Sequence, residues 1–214
     1  MELWLIRHGT TQANLEHRFQ GQLNTVLSPE GRWESEQLAR RLMYSPPDWF
    51  FSSDLLRAWE TAQIISRAIK VKANPMTLLR ECSWGIIEGM TWDEVTERYP
   101  YLARKFYNRR PSVIPGAERK RRLMVRARSV LAVLDSLAGR PGKVLLVSHG
   151  RFINAFISTC LGLRSRDRWP FSPAPASLSI LDYLAAEQRF KLKLFNDCCH
   201  LQQDGPFAKT ASLG

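Results

Sequence analysis

The sequence predicts an α/β protein, a three-layer α/β/α sandwich with a mostly parallel central sheet and a small helical cap. Short apolar runs alternate with amphipathic stretches along the 214 residues, which is the pattern of strand and helix units that build such sheets. The stretch Lys143–Ser148 (KVLLVS) has four consecutive apolar residues, as a strand covered on both faces requires. Glycine turns follow two of the apolar runs, and α/β sheets place ligands at such strand ends.

Two strand and helix pairs are predicted in the first third of the chain. Ser28 suits the position before a helix, because its hydroxyl can accept a hydrogen bond from a free N–H group, and Pro29 suits the first turn. Pro46 and Pro47 end that helix. The predicted elements are a strand at residues 3–6, a helix at 29–43 with Trp33, Leu38 and Leu42 facing inward, a strand at 49–52 and a helix at 54–68.

The remaining elements continue the alternation. Residues 76–79 are predicted to form a short strand, 91–99 a helix, and 100–117 a helix followed by a loop. A long amphipathic helix should begin near Glu118 and end at Gly139 to Gly142, because apolar residues recur on one side of it: Leu123, Ala127, Val130, Leu131, Leu134 and Leu137. A strand at 143–148, a helix at 152–161 and a pair of strands at 178–184 and 190–195 complete the prediction.

We expect one domain at residues 1–202, with a cap segment inserted at about 82–117, and a C-terminal tail at 203–214. No stretch approaches the roughly 20 apolar residues that cross a bilayer, and the first strand begins almost at Met1, which predicts no signal peptide. The four cysteines have neither zinc-like spacing nor the density of a disulfide framework: Cys82, Cys160, Cys198 and Cys199. A cytoplasmic protein with reduced thiols and no membrane association is the expectation.

The formal net charge of +11 favours anionic partners, whether small phosphates, nucleic acid or a membrane surface. The basic excess is densest between Arg104 and Arg128 and includes the run at residues 119–122 (RKRR). A solvated helix face is the simplest interpretation of this run. Nucleic acid is not an expected partner, because no interleaving of aromatic and basic residues accompanies the charge; strongly salt-dependent retention on DNA or RNA would overturn that expectation.

Two predicted strands end in a histidine followed by a glycine, at His8 and His149, although the chain has only four histidines. Arg57 falls in the first turn of the helix after the second strand, and Glu81 follows another predicted strand. Since strand ends at one edge of a sheet can converge, these residues are candidates for one pocket. Taken alone, His8 would favour a structural role; the other residues favour a functional one.

Two imidazoles, arginines and a glutamate suit the transfer of a phosphoryl group. Arginine forks hold the charge of the peripheral phosphoryl oxygens while the axial bonds break and form. A neutral imidazole can attack phosphorus and form a phosphohistidine. A carboxylic acid can protonate the leaving alkoxide and then, as the carboxylate, take a proton from water.

These stretches resemble the histidine phosphatase (phosphoglycerate mutase-like) superfamily, and in particular its small-metabolite phosphatases. The resemblance covers nearly the whole chain to about residue 201. The matching motifs are LIRHGTTQAN (5–14), FQGQ (19–22), LSPEG (27–31), SSDLLRAWETA (52–62), LLRECSWGIIEG (78–89), LLVSHGRF (145–152) and Asn196-Asp197 with His200-Leu201.

The resemblance implies a role for each matching residue. His8 would be the catalytic nucleophile, Glu81 the general acid and base, and Arg7, Arg57 and His149 would bind the phosphoryl oxygens. The phosphate site would also be lined by Asn14, Gln20 and Gly21. No metal and no cofactor is implied, the substrate would be a small phosphorylated metabolite, and a homodimer is an open possibility. Because Glu81 must hold its proton for the first step, a mildly acidic activity optimum is expected.

Several departures and alternatives remain open at this point. Thr10 and Arg119 stand where the family often has glutamate and serine, and Arg119 could extend the pocket rim or face water. A phosphoglycerate mutase is the alternative function, although mutases carry a longer insertion than the one between Glu81 and Glu118. The cap aromatics could pack on the sheet or touch the substrate, and these are Trp84, Trp92, Tyr99, Tyr101, Phe106 and Tyr107. His17 is expected in a surface loop, His200 to order the C-terminal segment, and Cys82 to fill apolar space. The natural substrate stays undetermined among phosphoserine, α-ribazole phosphate, phosphoglycerates and sugar phosphates.

Overall fold

A computed structural model of the chain describes residues 1–107, 114–135, 142–163, 170–184, 187, 189–202 and 206–207. The strands are β1 (Glu2–Arg7), β2 (Trp49–Ser52), β3 (Asn74–Pro75), β4 (Lys143–Ser148), β5 (Leu178–Leu184) and β6 (Arg189–Asp197). The α-helices are α1 (Gln12–Leu15), α2 (Pro29–Leu42), α3 (Leu56–Ile69), α4 (Trp92–Arg98), α5 (Pro100–Tyr107), α6 (Lys120–Asp135) and α7 (Gly150–Cys160). Short 3-10 turns occur at Thr77–Leu79, Gly85–Ile87 and Cys199–Leu201.

The six strands form one sheet in the order β3-β2-β4-β1-β5-β6. The strands β3, β2, β4 and β1 run parallel to one another, whereas β5 pairs antiparallel with both β1 and β6. This confirms the mostly parallel sheet. The register pairs Arg7 with Ser148, and the backbone N–H of His8 donates to the carbonyl of Ser148 over 2.9 Å. The two strands that carry the histidines therefore end side by side.

Alternate residues of the central strands enter two separate hydrophobic cores, which confirms the three layers. On one face of the sheet, Leu3, Leu5, Val144 and Leu146 pack against α6 and α7. On the other face, the core combines strand residues with residues of α2 and α3, among them Ile6, Leu145, Val147, Leu38 and Ile65. Each fully buried Leu, Ile or Val side chain contributes roughly 1.5–3 kcal/mol relative to an exposed one, so both helical layers stabilise the sheet edge that carries the candidate site.

Most predicted boundaries are confirmed, including Ser28, whose side chain accepts from the N–H of Gly31 at the start of α2. The predicted strand at residues 76–79 is wrong. Strand β3 lies earlier, because its partner β2 ends at Ser52, which pairs with Pro75. Beyond that point the chain turns at Thr77–Leu79 and buries Leu79 against α6 and α7. Helix α3 also begins two residues later than predicted, since Asp54 instead pairs with Arg80.

The cap segment is helical, as predicted, and has a small core of its own. Ile87, Val95 and Ile114 are buried there, with the partly buried aromatic residues Phe19, Trp84, Trp92 and Tyr99 around them. Tyr101 is exposed. The side chains of Phe106 and Tyr107, like Leu137, Gly139 and nearly all of the tail at 203–214, lie outside the described residues.

The basic run at residues 119–122 lies on the surface at the start of α6, as the simplest interpretation predicted. Arg119, Arg121 and Arg122 are exposed and Lys120 is half-buried. Arg119 does not line the main cavity, so it faces water rather than a pocket rim. None of the helices among the described residues combines the length and apolar character needed to cross a membrane.

Candidate active site

The imidazole of His8 lies at the end of β1 and is held in one tautomer. Its Nδ1 lies 2.7 Å from the carbonyl oxygen of Gly9, and because a carbonyl only accepts, Nδ1 carries the proton. The Nε2 atom is then left with its lone pair, toward which the Nε–H of Arg57 is directed at 3.3 Å. A neutral imidazole with a defined lone pair on Nε2 is the form of histidine that can act as a nucleophile.

The electrostatic surroundings keep this imidazole neutral. Burial lowers the pKa of His8 well below its usual 6.5, and the positive charges of Arg57 and Arg7 lower it further. The side chain is 3 % exposed, so little water competes with these effects. His8 therefore stays unprotonated at neutral pH.

Arg57, in the first turn of α3, is fixed by backbone carbonyls of the loop between α1 and α2. Its Nη1 donates to the carbonyl of Leu23 over 2.8 Å, and its Nη2 donates to that of Gly21 over 2.7 Å. Burial lowers the pKa of Arg57 to about 10, a value at which the guanidinium remains charged near neutral pH. A buried cation held by two backbone carbonyls, with its Nε–H directed at His8, is preorganised to hold an anion there.

His149 and Arg7 carry buried polar atoms that have no hydrogen-bond partner within the part of the chain that the structure describes. The ring of His149 lies 5.1 Å from that of His8, centroid to centroid, and its Nε2 lies 2.8 Å from Oγ of Ser53. Its Nδ1 is unpartnered, as is Nε of Arg7, whose Nη1 donates to the carbonyl of Pro173 over 2.8 Å. A buried unsatisfied group costs about 1–3 kcal/mol, so both atoms favour a ligand that supplies acceptors.

Burial, followed by the charge of Arg57, lowers the pKa of His149 well below its usual value. With the imidazole neutral, the proton of the ring is on Nδ1 when the Ser53 hydroxyl donates to Nε2. In that tautomer Nδ1 can donate to a ligand. Burial also lowers the pKa of Arg7, an effect opposed by the negative charges of Glu81 and Glu34, and the guanidinium keeps its charge.

The carboxylate of Glu81 lies at the N-terminus of α7, where backbone N–H groups hold both of its oxygens. Its Oε1 accepts from the N–H of Cys82 at 2.8 Å and of Phe152 at 3.1 Å, and its Oε2 accepts from the N–H of Arg151 at 3.0 Å. Arg151 and Phe152 follow His149 closely in the sequence. The candidate acid and the second histidine are thus connected through the first turn of one helix.

The loop after α1 supplies the rest of the predicted phosphate site. Gln20 is buried and its side-chain oxygen accepts from the hydroxyl of Thr25 over 2.7 Å. Gly21 has a φ of 52°, a conformation that favours glycine. A Cβ atom there would lie 2.1 Å from Oε1 of Glu88, so a side chain would clash with Glu88 beside the carbonyl that orients Arg57. Asn14 forms a reciprocal cap with Thr11 at α1.

A cavity of about 690 Å³ brings seven of the eight predicted site residues together. They are Arg7, His8, Asn14, Gln20, Gly21, Arg57 and Glu81. His149 does not line the cavity; it is fully buried, and its ring packs beside that of His8, which does line it. Of the six cap aromatics, Trp84 lines the cavity, and the guanidinium of Arg151 lies over its ring at 4.7 Å.

Sequence reasoning did not single out several residues that shape this site. Ser53 faces His149, the hydroxyl of Thr61 accepts from the N–H of Gly9 over 3.1 Å, and Pro173 orients Arg7 through its carbonyl. Ser53 and Thr61 lie inside the matching motif at residues 52–62, so the sequence held a signal that could have identified them. The role of Pro173 leaves no signal in the sequence, because every residue has a backbone carbonyl.

Comparisons with known proteins agree with this geometry. The sequence model described as "Histidine phosphatase superfamily (branch 1)" matches residues 3–198. The chain belongs to this superfamily. The identification also makes it a histidine phosphatase-type enzyme, and it confirms the family resemblance drawn from the motifs.

The relatives of this histidine phosphatase include proteins named for different activities. A probable phosphoglycerate mutase, GpmB, from Salmonella paratyphi C is 33% identical over 184 residues, which cover 86% of this chain and 85% of the relative. The structure of a mycobacterial glucosyl-3-phosphoglycerate phosphatase in complex with VO3 has a TM-score of 0.78 at 31% identity and covers 91% of this chain and 98% of that one. A putative α-ribazole-5'-P phosphatase from Escherichia coli shares the fold with a TM-score of 0.84 at 23% identity, covering 92% of this chain and 97% of that one.

Proposed function

We propose that this enzyme hydrolyses a small-metabolite phosphomonoester, without a metal ion, through a phosphohistidine on His8. The observation that carries the proposal is the tautomer of His8, in which the Gly9 carbonyl binds Nδ1–H and leaves the Nε2 lone pair beside Arg57. Arg57, Arg7 and Nδ1 of His149 supply donors for the peripheral phosphoryl oxygens. The two unpartnered atoms, Nε of Arg7 and Nδ1 of His149, would thereby gain acceptors.

The residues present can carry out both chemical steps, transfer of the phosphoryl group to His8 and hydrolysis of the phosphohistidine. In the first, Nε2 of His8 attacks phosphorus, the bond from phosphorus to the ester oxygen breaks, and protonated Glu81 gives its proton to the leaving alkoxide. In the second, the carboxylate of Glu81 takes a proton from water. The resulting hydroxide attacks phosphorus, the bond from phosphorus to nitrogen breaks, and neutral His8 and protonated Glu81 are restored.

The size and lining of the cavity support a small-metabolite substrate. A volume of about 690 Å³ exceeds the space of a phosphate group and falls within the 300–1,000 Å³ range of small-ligand sites. Trp84 and Arg151 line the part of the wall contributed by the cap and α7. The phosphatases among the relatives are named for small phosphorylated metabolites, in keeping with a substrate of this kind.

Replacement of His8 with Asn tests the proposal. Turnover of p-nitrophenyl phosphate and acid-labile labelling by substrate phosphate should both vanish. The matched control is His17→Asn, since His17 is exposed and its φ of 54° suits asparagine. Near-normal activity in the His8 variant would refute the covalent mechanism.

Metal independence is tested separately, by assaying the enzyme after exhaustive treatment with EDTA. Arg7 and Arg57 already supply the positive charge that a metal ion would bring to the phosphoryl group. We expect activity to be retained. Loss of activity that added divalent cations restore would show that the arginines are insufficient.

A phosphoglycerate mutase is the second candidate, and the 33% identical probable mutase favours it. The short segment between Glu81 and Glu118 favours hydrolysis. Incubation with 3-phosphoglycerate distinguishes the two functions. Release of inorganic phosphate faster than formation of 2-phosphoglycerate supports the phosphatase, and the reverse supports the mutase.

A further inference from the structure

Arg126 of α6 lies outside the cavity, yet it binds the backbone of the segment that carries Glu81. Its Nη1 donates to the carbonyls of Leu78 and Arg80, with the Leu78 contact at 2.8 Å, and its Nη2 lies 3.3 Å from the carbonyl of Glu81. The carbonyl of Leu79 in the same segment accepts from Oγ of Ser148 over 2.6 Å. Side chains thus bind all four carbonyls of residues 78–81, which lie beyond the end of β3.

The same guanidinium reaches the other side of the Glu81 carboxylate. It lies over the ring of Phe152 at 5.0 Å, and the N–H of Phe152 donates to Oε1 of Glu81. Arg126 therefore contacts both the backbone from which Glu81 projects and one of the two residues of α7 that bind its carboxylate. A shift of this guanidinium would change the position of Glu81 relative to α7.

Glu118 fixes Arg126 in turn. Its two carboxylate oxygens accept from Nε at 3.1 Å and from Nη2 at 2.6 Å. The Arg126 side chain is 14% exposed and that of Glu118 is 9% exposed. Such a two-point pair restricts the guanidinium to one orientation, and its burial limits competition from water.

We propose that the pair of Arg126 and Glu118 is a positioning device for proton transfer by Glu81. The inference rests on the proposed function, because it requires Glu81 to protonate the leaving group. Arg126 does not touch the substrate. It acts by holding the carboxyl group within reach of the ester oxygen, where a displacement of about 1 Å can cost about 10²-fold in rate.

The dependence of kcat/KM on the leaving group tests this inference. The parameter reports the steps up to release of the alcohol, and a p-nitrophenolate leaves without a proton whereas a glycerol alkoxide needs one. We expect Arg126→Gln to lower the ratio of kcat/KM for glycerol 2-phosphate to that for p-nitrophenyl phosphate at least ten-fold. Arg126→Lys keeps the charge but has fewer donors, so its ratio should lie between those of Arg126→Gln and the wild type.

A matched control lies on the same helix. Arg128 is exposed and does not line the cavity, so Arg128→Gln should leave both substrates and their ratio unchanged. If Arg126→Gln does not fold, Glu118→Gln decides the question, because it removes the charge of the pair while keeping an acceptor for Arg126. It should lower the ratio in the same direction. Circular dichroism checks that each variant is folded.

The failures of the two proposals are distinguishable. An equal loss for both esters in Arg126→Gln, or no loss for either, overturns the positioning role while the phosphatase proposal stands. If Glu81→Gln also leaves the ratio unchanged, Glu81 is not the proton donor and the inference falls with that role. If the wild-type enzyme hydrolyses neither ester, the proposed function falls, and the inference falls with it.

Discussion

The Nε atom of Arg57 lies 3.3 Å from Nε2 of His8, so a guanidinium donates to the nitrogen that would attack phosphorus. The contact requires the imidazole to be neutral, since a protonated Nε2 has no lone pair to accept with. An incoming phosphoryl group would take over this donor as His8 forms its bond to phosphorus. In the proposed mechanism Arg57 would therefore have two functions, to order His8 and to hold the charge that the reaction moves.

Arg57→Lys should lower kcat/KM by about 10²–10³-fold, the effect of removing one preorganised donor. A lysine ammonium cannot reach His8 and the carbonyls of Gly21 and Leu23 together. Each carbonyl left unsatisfied costs about 1–3 kcal/mol, so the free energy of unfolding should fall as well. Steady-state kinetics and urea unfolding measure the two effects.

The control for this variant is Arg32→Lys, because Arg32 pairs with Glu60 on the surface and does not line the cavity. It should change neither quantity appreciably, as exposed ion pairs contribute about 0–1 kcal/mol. If Arg57→Lys stays within three-fold of wild type, the guanidinium fork is not what activates the site.

The optimum of kcat/KM for an alkyl phosphate should be mildly acidic, below about pH 7. Burial and the neighbouring arginines lower the pKa of His8 well below 6.5, so mild acid leaves the nucleophile neutral. The first step also requires Glu81 to carry a proton, which acid favours. A pH–rate profile measured over the range where the fold is intact checks this, and an optimum above about pH 8 would contradict the role of Glu81.

The position of Glu81 shows what the sequence can and cannot predict. The pairing of His8 with His149 followed from two apolar runs that each end in His-Gly, because neighbouring parallel strands end at one edge. The strand expected before Glu81 was wrong. Its partner β2 ends at Ser52, so no strand remains for residues 76–79 to pair with, and nothing local in the sequence indicates this end. Side chains distant in the sequence, Arg126 and Ser148, hold that segment instead, and such contacts leave no periodic signal.

The outer wall of the site illustrates the same limit. Trp84 was one of six candidate cap aromatics, and it lies in the matching motif at residues 78–89, which contains none of the other five. Its place in the cavity depends on packing against Phe19, whose ring centroid lies 4.9 Å away, and on the guanidinium of Arg151 above it. These contacts join three parts of the chain, which the motif alone does not bring together.

Stability should decrease as the pH falls below about 6.5, because the buried histidines are neutral in the folded state and protonate on unfolding. Burial, assisted by the charge of Arg41, lowers the pKa of His200 to about 4. The unfolded chain therefore binds more protons than the folded one between about pH 6.5 and 4, and the free energy of unfolding rises with pH in that window. His8 and His149 act in the same direction.

His200→Asn isolates one contribution to this pH dependence. Between pH 7 and 5.5 the free energy of unfolding of the wild type should fall by roughly 1 kcal/mol more than that of the variant. Over most of that interval His200 is protonated in the unfolded chain but not in the folded one, because its pKa is lowered from 6.5 to about 4 on folding. The asparagine amide can still donate to the carbonyl of Ala176, which His200 contacts at 3.0 Å. Urea unfolding at several pH values measures the difference, and equal slopes would show that His200 is not buried as a neutral ring.

Asn196 should control the affinity for phosphate although it does not line the cavity. Its side-chain oxygen accepts from the N–H of Ala174 over 2.6 Å, and the adjacent carbonyl of Pro173 accepts from Nη1 of Arg7. Loss of the first contact should loosen the loop and, with it, the orientation of Arg7. We expect Asn196→Gly to weaken competitive inhibition by inorganic phosphate about five- to ten-fold, which corresponds to roughly 1 kcal/mol for one hydrogen bond.

The choice of glycine separates this effect from backbone strain. Asn196 has a φ of 57°, which glycine adopts freely and alanine does not, so Asn196→Gly removes the acceptor and keeps the conformation. Asn196→Asp keeps an acceptor at the same position and should stay within about two-fold of wild type. An equal loss in the two variants would mean that the acceptor is immaterial, and no loss in Asn196→Gly would mean that Arg7 is oriented without this contact.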